Sequence, residues 1–290
     1  MSRRRRAVIV LFAAAAVLAL LSAPVAAAVA NPTASPGHDQ GLLQSAGLSK
    51  AVSQALSSAA PETAALPAGV ALPAGVDLSA WDPPVGNQGS LNSCASWVTG
   101  YYYQYWLSDR LSGETATFAP MFLYSQITHG TDSGSSIGEN LALLQAMGIP
   151  HAADYSQGPL DFRTQPTAAE IQAAAPYKAV SGSLLVFDTG VGTEAQTALE
   201  TSLAAGRPVI LSFPLYPNFV AADSSNYFVD VPPAGSAQHG YHSVFAPKYD
   251  ARGVWIENSW GTGWGRSGWA ELSWAFVNRY AAEGWTMAAG

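Results

Sequence analysis

A second cysteine is missing from this chain. Its 290 residues hold one, Cys94, so no intramolecular disulfide can form and the fold must be held by core packing. Charge is sparse as well: 11% of the residues are Asp, Glu, Lys or Arg, against 49% apolar ones, a balance that favours a packed globule over a disordered chain. The charge that exists is acidic, a formal −7. A chain of that sign offers no electrostatic footprint to nucleic acid or anionic lipid. After residue 30 no segment is long and apolar enough to span a bilayer.

The first thirty residues have what the rest lacks. Arg3 to Arg6 form a basic start, an apolar run follows from Ala7 to about Leu21, and Ala28-Val29-Ala30 reads as a small-x-small cleavage site. Residues 1–30 are therefore expected to be a signal peptide, which implies a secreted protein, by its Ala-rich style a bacterial export product. Removing that segment takes away four arginines and no acids, so the formal charge moves from −7 to −11. Residues 31–71 are rich in Ala, Ser, Pro and Gly and read as a short propeptide or linker. LPAGV occurs twice around its end, at 66–70 inside it and at 72–76 just beyond it, as a Pro/Gly linker or as a processing junction. The remainder, 72–290, is long enough for one large domain or two half-domains around a shared cleft.

Helical patterns dominate the first half of that remainder. Cys94 to Leu111 has no proline and apolar residues on most faces, which predicts a buried helix. Its aromatic run, Tyr101, Tyr102, Tyr103, Tyr105 and Trp106, is expected to pack rather than to stack on a carbohydrate. Pro120 to Gln126, Ile137 to Met147 (closed by Gly148) and Thr193 to Ala205 (closed by Gly206) read as further helices. Strands follow: Pro208 to Phe213, then His242 to Tyr249 and Gly253 to Glu257 paired across the turn Asp250-Ala251-Arg252-Gly253. That order predicts an α+β fold with two unlike halves.

The lone thiol is either an inert core residue or a reactive one. Cys94 stands at the predicted start of the long helix, where partial positive charge favours a thiolate. Gln88 lies six residues ahead in Gly86-Asn87-Gln88-Gly89. A tight turn there would aim its amide, with the Cys94 backbone N–H, at one developing oxyanion. His242 begins an apolar strand in HGYHSVFAPKY and can serve as base and general acid. His239 competes with it, and the two histidines lack a third ligand for a metal. Asn258, 16 residues after His242 and one hairpin further on, can accept from the imidazole and orient it. Trp260 can cover that bond. Gly261, Gly263 and Gly265 lead into no helix of a nucleotide site, which is rejected.

Taken in order, Gln, Cys, His and Asn resemble the papain-like cysteine peptidases. The family's NQG…SC block matches Asn87-Gln88-Gly89 and Ser93-Cys94. Its HAV…GY strand matches His242-Ser243-Val244 through Tyr249, and its NSWG…WG loop matches Asn258 to Gly261 with Trp264-Gly265. His242 follows Cys94 by 148 residues, in keeping with the family's spacing. LPAGVDLS at 72–79 resembles the family's mature N-terminus, and the likeness runs to about residue 278, weakest in its middle third.

The resemblance implies a helical half with a buried central helix, a β-barrel-like half, and a cleft between them. It implies Cys94 as nucleophile, His242 as base and acid, Asn258 as orienter, and Gln88 with Cys94 as the oxyanion hole. Gly134 and Ser135, in GSSI at 134–137, would match the Gly-rich wall that binds extended substrate, and Tyr241 would narrow the cleft beside His242. No cofactor and no metal are implied; the partner is a protein or peptide substrate.

Two departures stand out. Leu91 and Ala95 occupy positions where the family usually has a cysteine and a tryptophan, so the neighbouring disulfide is absent, Leu91 is left to pack, and Trp97 is left to shield. The leading reading is a secreted cysteine peptidase working through a thioester acyl-enzyme. A binding protein of the same fold with little turnover, and an acyl transferase or amidase using the same thioester, are the alternatives.

Overall fold

The computed structural model describes residues 71–179, 181–185 and 192–288. The expected signal peptide, all but the last residue of the propeptide or linker segment, and the first LPAGV lie outside the described residues. The second LPAGV ends in β1 (Val76–Asp77).

The buried helix expected from Cys94 onward is one helical run, α1, with a change of pitch inside it. It opens as an α-turn at Cys94–Ser96, widens to a π-helix over Trp97–Tyr103, where the amide of Gln104 reaches Thr99 O, and returns to an α-helix over Gln104–Ser112. Gly100 sits in the widened stretch, where a Cβ would come within 2.6 Å of Ile149 and 3.0 Å of Leu123. Then come α2 (Pro120–Thr128), α3 (Ile137–Met147) and α4 (Ala168–Ala174). Helix α3 starts at a reciprocal cap between Ser136 and Glu139 and ends before Gly148, at φ +82°. A side chain on Gly148 would meet Ala174 O at 2.0 Å, so the helix end and α4 pack backbone against backbone.

The second half alternates β2 (Ser181–Leu185), α5 (Glu194–Ala204), β3 (Val209–Pro214), α6 (Pro217–Val220), β4 (Phe228–Val229), β5 (Tyr241–Tyr249), β6 (Gly253–Glu257), β7 (Trp269–Ser273), α7 (Trp274–Tyr280) and β8 (Glu283–Ala288). The strands form one sheet in the order β2-β8-β3-β5-β6-β7-β4, with β1 added to β5. Only β4 and β7 run parallel among the described pairs. Because β2 and β4 end the order without pairing to each other, the strand-rich half is an open sheet.

Alternation along the central strands explains how one sheet serves two cores. Ile210 and Phe245 point toward α1 and join the aromatic core with Tyr102, Tyr103 and Trp106. Their neighbours Val209, Leu211, Val244 and Ala246 point to the opposite face and pack with Leu199 and Leu203 of α5 and Phe276 and Val277 of α7. Strand β3 is buried along all six residues, as a strand covered on both faces must be. The aromatic run of α1 is packing, as its pattern predicts: Tyr102 and Tyr103 are fully buried and both rings meet Phe245.

Candidate active site

Hairpin β5–β6 brings the two distant members of the motif together. His242 is the second residue of β5, and the chain turns at Asp250–Gly253, where the Asp250 amide donates to Gly253 O. It returns along β6 and delivers Asn258 one residue past the strand end. His242 Nε2 and Asn258 Oδ1 are 2.8 Å apart. The Ser259 amide donates to the same Oδ1, at 2.8 Å, so that atom is the amide oxygen and Nε2 carries the imidazole proton. That tautomer leaves a lone pair on Nδ1.

Both residues are sealed from water, His242 at 2% exposure and Asn258 at 0%. The Trp260 ring lies against the imidazole, tilted by 35° with ring centroids 4.6 Å apart, and the Phe219 ring lies 5.7 Å from it. The Asn258 backbone is tied twice more: its amide donates to Gly268 O, and its carbonyl accepts from Tyr102 Oη at 2.9 Å.

Gln88 is held by the same loop. Its amide donates to Ser259 O at 2.7 Å, Asn87 bridges to Trp260, and the Gly261 amide donates to Gly86 O, so residues 86–88 form a short ladder beside the Asn258 loop. Gly86 admits the Trp97 ring where a Cβ would approach it to 2.4 Å. The side chain of Gln88 is 3% exposed. One N–H of its Nε2 goes to Leu91 O at 2.7 Å, and its Oε1 accepts from Ser259 Oγ at 2.5 Å. These contacts fix the amide and, among the described residues, leave its second N–H uncommitted.

Cys94 begins α1, fully buried, with this end of the helix packed against β5. Burial pushes the thiol up to about 11, against the lowering effect of the Ser243 amide, the Ser243 hydroxyl and the Ala95 amide. Ser243 follows His242 and shares its sheet face with Phe245, on the side where α1 packs; its hydroxyl is buried and makes no hydrogen bond among the described residues.

The remaining expected residues are placed as follows. The Gly134 amide donates to Tyr124 Oη at 3.1 Å. Ser135 is 1% exposed, its hydroxyl accepting from Asn140 Nδ2, so its side chain faces inward. Tyr241 begins β5 and is half-buried. His239 lies in the loop before β5, its amide donating to Leu215 O. Among the described residues no group of three His, Cys, Asp or Glu is placed to hold a metal ion.

Leu91 packs at the edge of the helical core. Beside it, Asn92 makes a clamp to Asp132: its amide donates to Asp132 Oδ1 at 2.9 Å and its Nδ2 to Asp132 O at 3.0 Å. Tyr124 Oη donates to the same carboxylate at 2.5 Å. The roles of Ser259, Ser243, Tyr102 and this clamp were not anticipated by the sequence motifs, although Ser259 and Ser243 lie next to Asn258 and His242 in the chain.

No family profile and no curated protein matches this chain in sequence. Solved structures match it in fold. Xylellain, a cysteine protease from Xylella fastidiosa, superposes with a TM-score of 0.65 at 22% identity, over 76% of this chain and 87% of that one. A digestive procathepsin L2 from the larval midgut of Tenebrio molitor gives 0.64 at 18% identity, over 87% and 78%. The bromelain protease from Ananas comosus, in complex with the E64 inhibitor, gives 0.58 at 14% identity, over 75% and 100%. At such identities the likeness speaks for the fold: the chain has the papain-like α+β architecture.

Proposed function

We propose that this chain is a cysteine-type peptidase that cleaves peptide bonds through a thioester acyl-enzyme. The observation that carries the reading is the 2.8 Å His242–Asn258 pair, buried under Trp260 on the strand against which the Cys94 end of α1 packs. With its Nε2 proton given to Asn258, His242 takes the Cys94 proton at Nδ1. The sulfur then bonds to the substrate carbonyl carbon, and the C=O π pair moves onto oxygen. The oxyanion accepts from the uncommitted N–H of Gln88 and the backbone N–H of Cys94; one such donor is worth about 10²–10³ in rate. Collapse breaks the C–N bond, and the imidazolium protonates the departing amine. Water, deprotonated by the same imidazole, cleaves the thioester and restores the thiol.

An imidazolium beside the sulfur lowers the thiol pKa and so opposes the burial that raises it. In our reading residues 1–30 direct export, and residues 31–71 are a presegment trimmed from the mature domain. Their support is the basic-apolar-small pattern and the repeated LPAGV.

The upward push on Cys94 favours one second reading, a binding protein of this fold with little turnover. Labelling of the folded protein with an epoxide inhibitor of the E64 type, read by intact mass beside Cys94→Ser, decides between them. One adduct on Cys94, lost in the variant, supports the peptidase; no adduct on folded protein with a reduced thiol overturns it. Hydrolysis and acyl transfer share the thioester, and added amine nucleophiles distinguish them.

A further inference from the structure

Two carboxyl groups sit just outside the reaction path. Glu257 ends β6 immediately before Asn258 and is 1% exposed. Asp82 follows the turn Ser79–Trp81 and opens the segment that runs into Gln88. The two side chains face each other. Both oxygens of Asp82 and Oε2 of Glu257 are buried and receive no N–H or O–H from any other described group.

Two carboxylates cannot occupy such a space together, because like charges at contact in a medium poorer than water repel strongly and neither is solvated. One proton removes the conflict: the protonated acid donates to its neighbour, as in other carboxyl pairs at contact distance. The groups around the pair supply no competing solution. Tyr101 and Tyr102 approach from α1, but their hydroxyls are given to Pro84 O and Asn258 O. Asp77 bears on Asp82 from β1 as a further negative charge, and Lys248 is paired to Asp77 at 2.8 Å.

We infer that Asp82 and Glu257 share a proton, and that this shared proton positions the reaction by fastening the segment leading into Gln88 to the strand leading into Asn258. Tyr102 spans the same junction, accepting from the Gly86 amide at 2.8 Å while donating to Asn258 O. Ionisation of the pair drives Glu257 and Asp82 apart, and with them the oxyanion donor and the imidazole's orienter. Burial first, and then the charge of Asp77 on Asp82 and of Asp82 on Glu257, holds both acids well above the usual carboxylate range, while the hydrogen bond from Glu257 favours the ionised form of Asp82; the shared proton therefore leaves on the alkaline side. Both are positioning residues, and this role rests on the peptidase reading above.

The test is a pH series on the folded chain, comparing wild type with Glu257→Gln and Asp82→Asn. Melting midpoints are read from pH 5 to 9, together with the rate of epoxide labelling of Cys94. The wild-type midpoint should fall as pH rises, and Glu257→Gln should lessen that fall and melt above wild type at pH 9. Labelling at pH 9 should be at least about threefold faster in Glu257→Gln, because one charge can no longer form. If Glu257→Gln does not fold, Asp82→Asn carries the same comparison. Equal midpoint slopes in wild type and variants, or an unmoved alkaline limb, overturn the inference. A wild type that takes no label at any pH overturns the peptidase reading, while the melting series still decides whether the pair holds a proton.

Discussion

Ser259 donates its hydroxyl proton to Gln88 Oε1 across 2.5 Å, joining residues 171 positions apart in the chain. The bond locks the amide of Gln88 so that its nitrogen faces Leu91 O and the space beyond. Ser259→Ala therefore frees the amide to rotate without removing it, and should lower kcat/KM by a few-fold. Gln88→Ala removes the donor itself and should cost about 10²-fold, mostly in kcat. Steady-state kinetics on a fluorogenic peptide check the ranking, and an Ser259 variant worse than the Gln88 variant would refute the locking role.

His242 and Asn258 contribute unequally. His242→Ala removes the proton carrier and should lower kcat/KM by about 10³-fold or more. Asn258→Ala leaves the imidazole in place under Trp260, with its orientation no longer enforced, and should retain more activity. The same kinetic assay on both variants checks this order.

In the peptidase reading, Ser243 is placed to tune Cys94. Its amide and hydroxyl lower a thiol pKa that burial raises to about 11, so Ser243→Ala should raise that pKa further. Below the pKa a smaller thiolate fraction reacts, and the pH profile of iodoacetamide alkylation of Cys94 should shift to higher pH. A profile unchanged in the variant would show that the hydroxyl does not reach the sulfur.

Acid stability has a separate source. Burial acts to raise the Glu170 carboxyl, but bonds from the Ser156 amide, the Thr167 amide, the Ser156 hydroxyl and Gln157 more than offset it and hold the acid at about 2. A carboxyl depressed in the folded state stabilises above its ordinary value of 4.5 and loses that contribution as pH falls toward 2. Urea midpoints measured from pH 6 to 2 should therefore fall less steeply in Glu170→Gln than in wild type.

Local chemistry made some parts of this fold legible and left others opaque. Ile137–Met147 is bounded as the sequence predicts, because a capping Ser and a closing Gly act on their immediate neighbours. Strand β6 was readable from its apolar run and the turn before it. Strand β8, in contrast, carries Glu, Gly, Trp, Thr, Met and Ala with no regular alternation, and it is a strand because β2 and β3 pair with it on either side. The widened turn in α1 has no local code either; it follows from what Gly100 and Tyr102 meet across the core. At the candidate site, Gln88, Cys94, His242 and Asn258 stand out in the sequence by residue type and order. Ser243, Ser259 and the Asp82–Glu257 pair did not, since the role of a hydroxyl or a carboxyl is set by the atoms that the fold brings against it.

The clamp of Asn92 and Tyr124 on Asp132 fastens the loop before Cys94 with hydrogen bonds. A sulfhydryl enzyme faces a conflict wherever it also relies on cystine bridges: the reductant that keeps its working sulfur available also loosens its scaffold. Here that conflict does not arise. The chain can mature without an oxidant, and a reducing medium that rescues an oxidised Cys94 leaves every other tie in the molecule as it was.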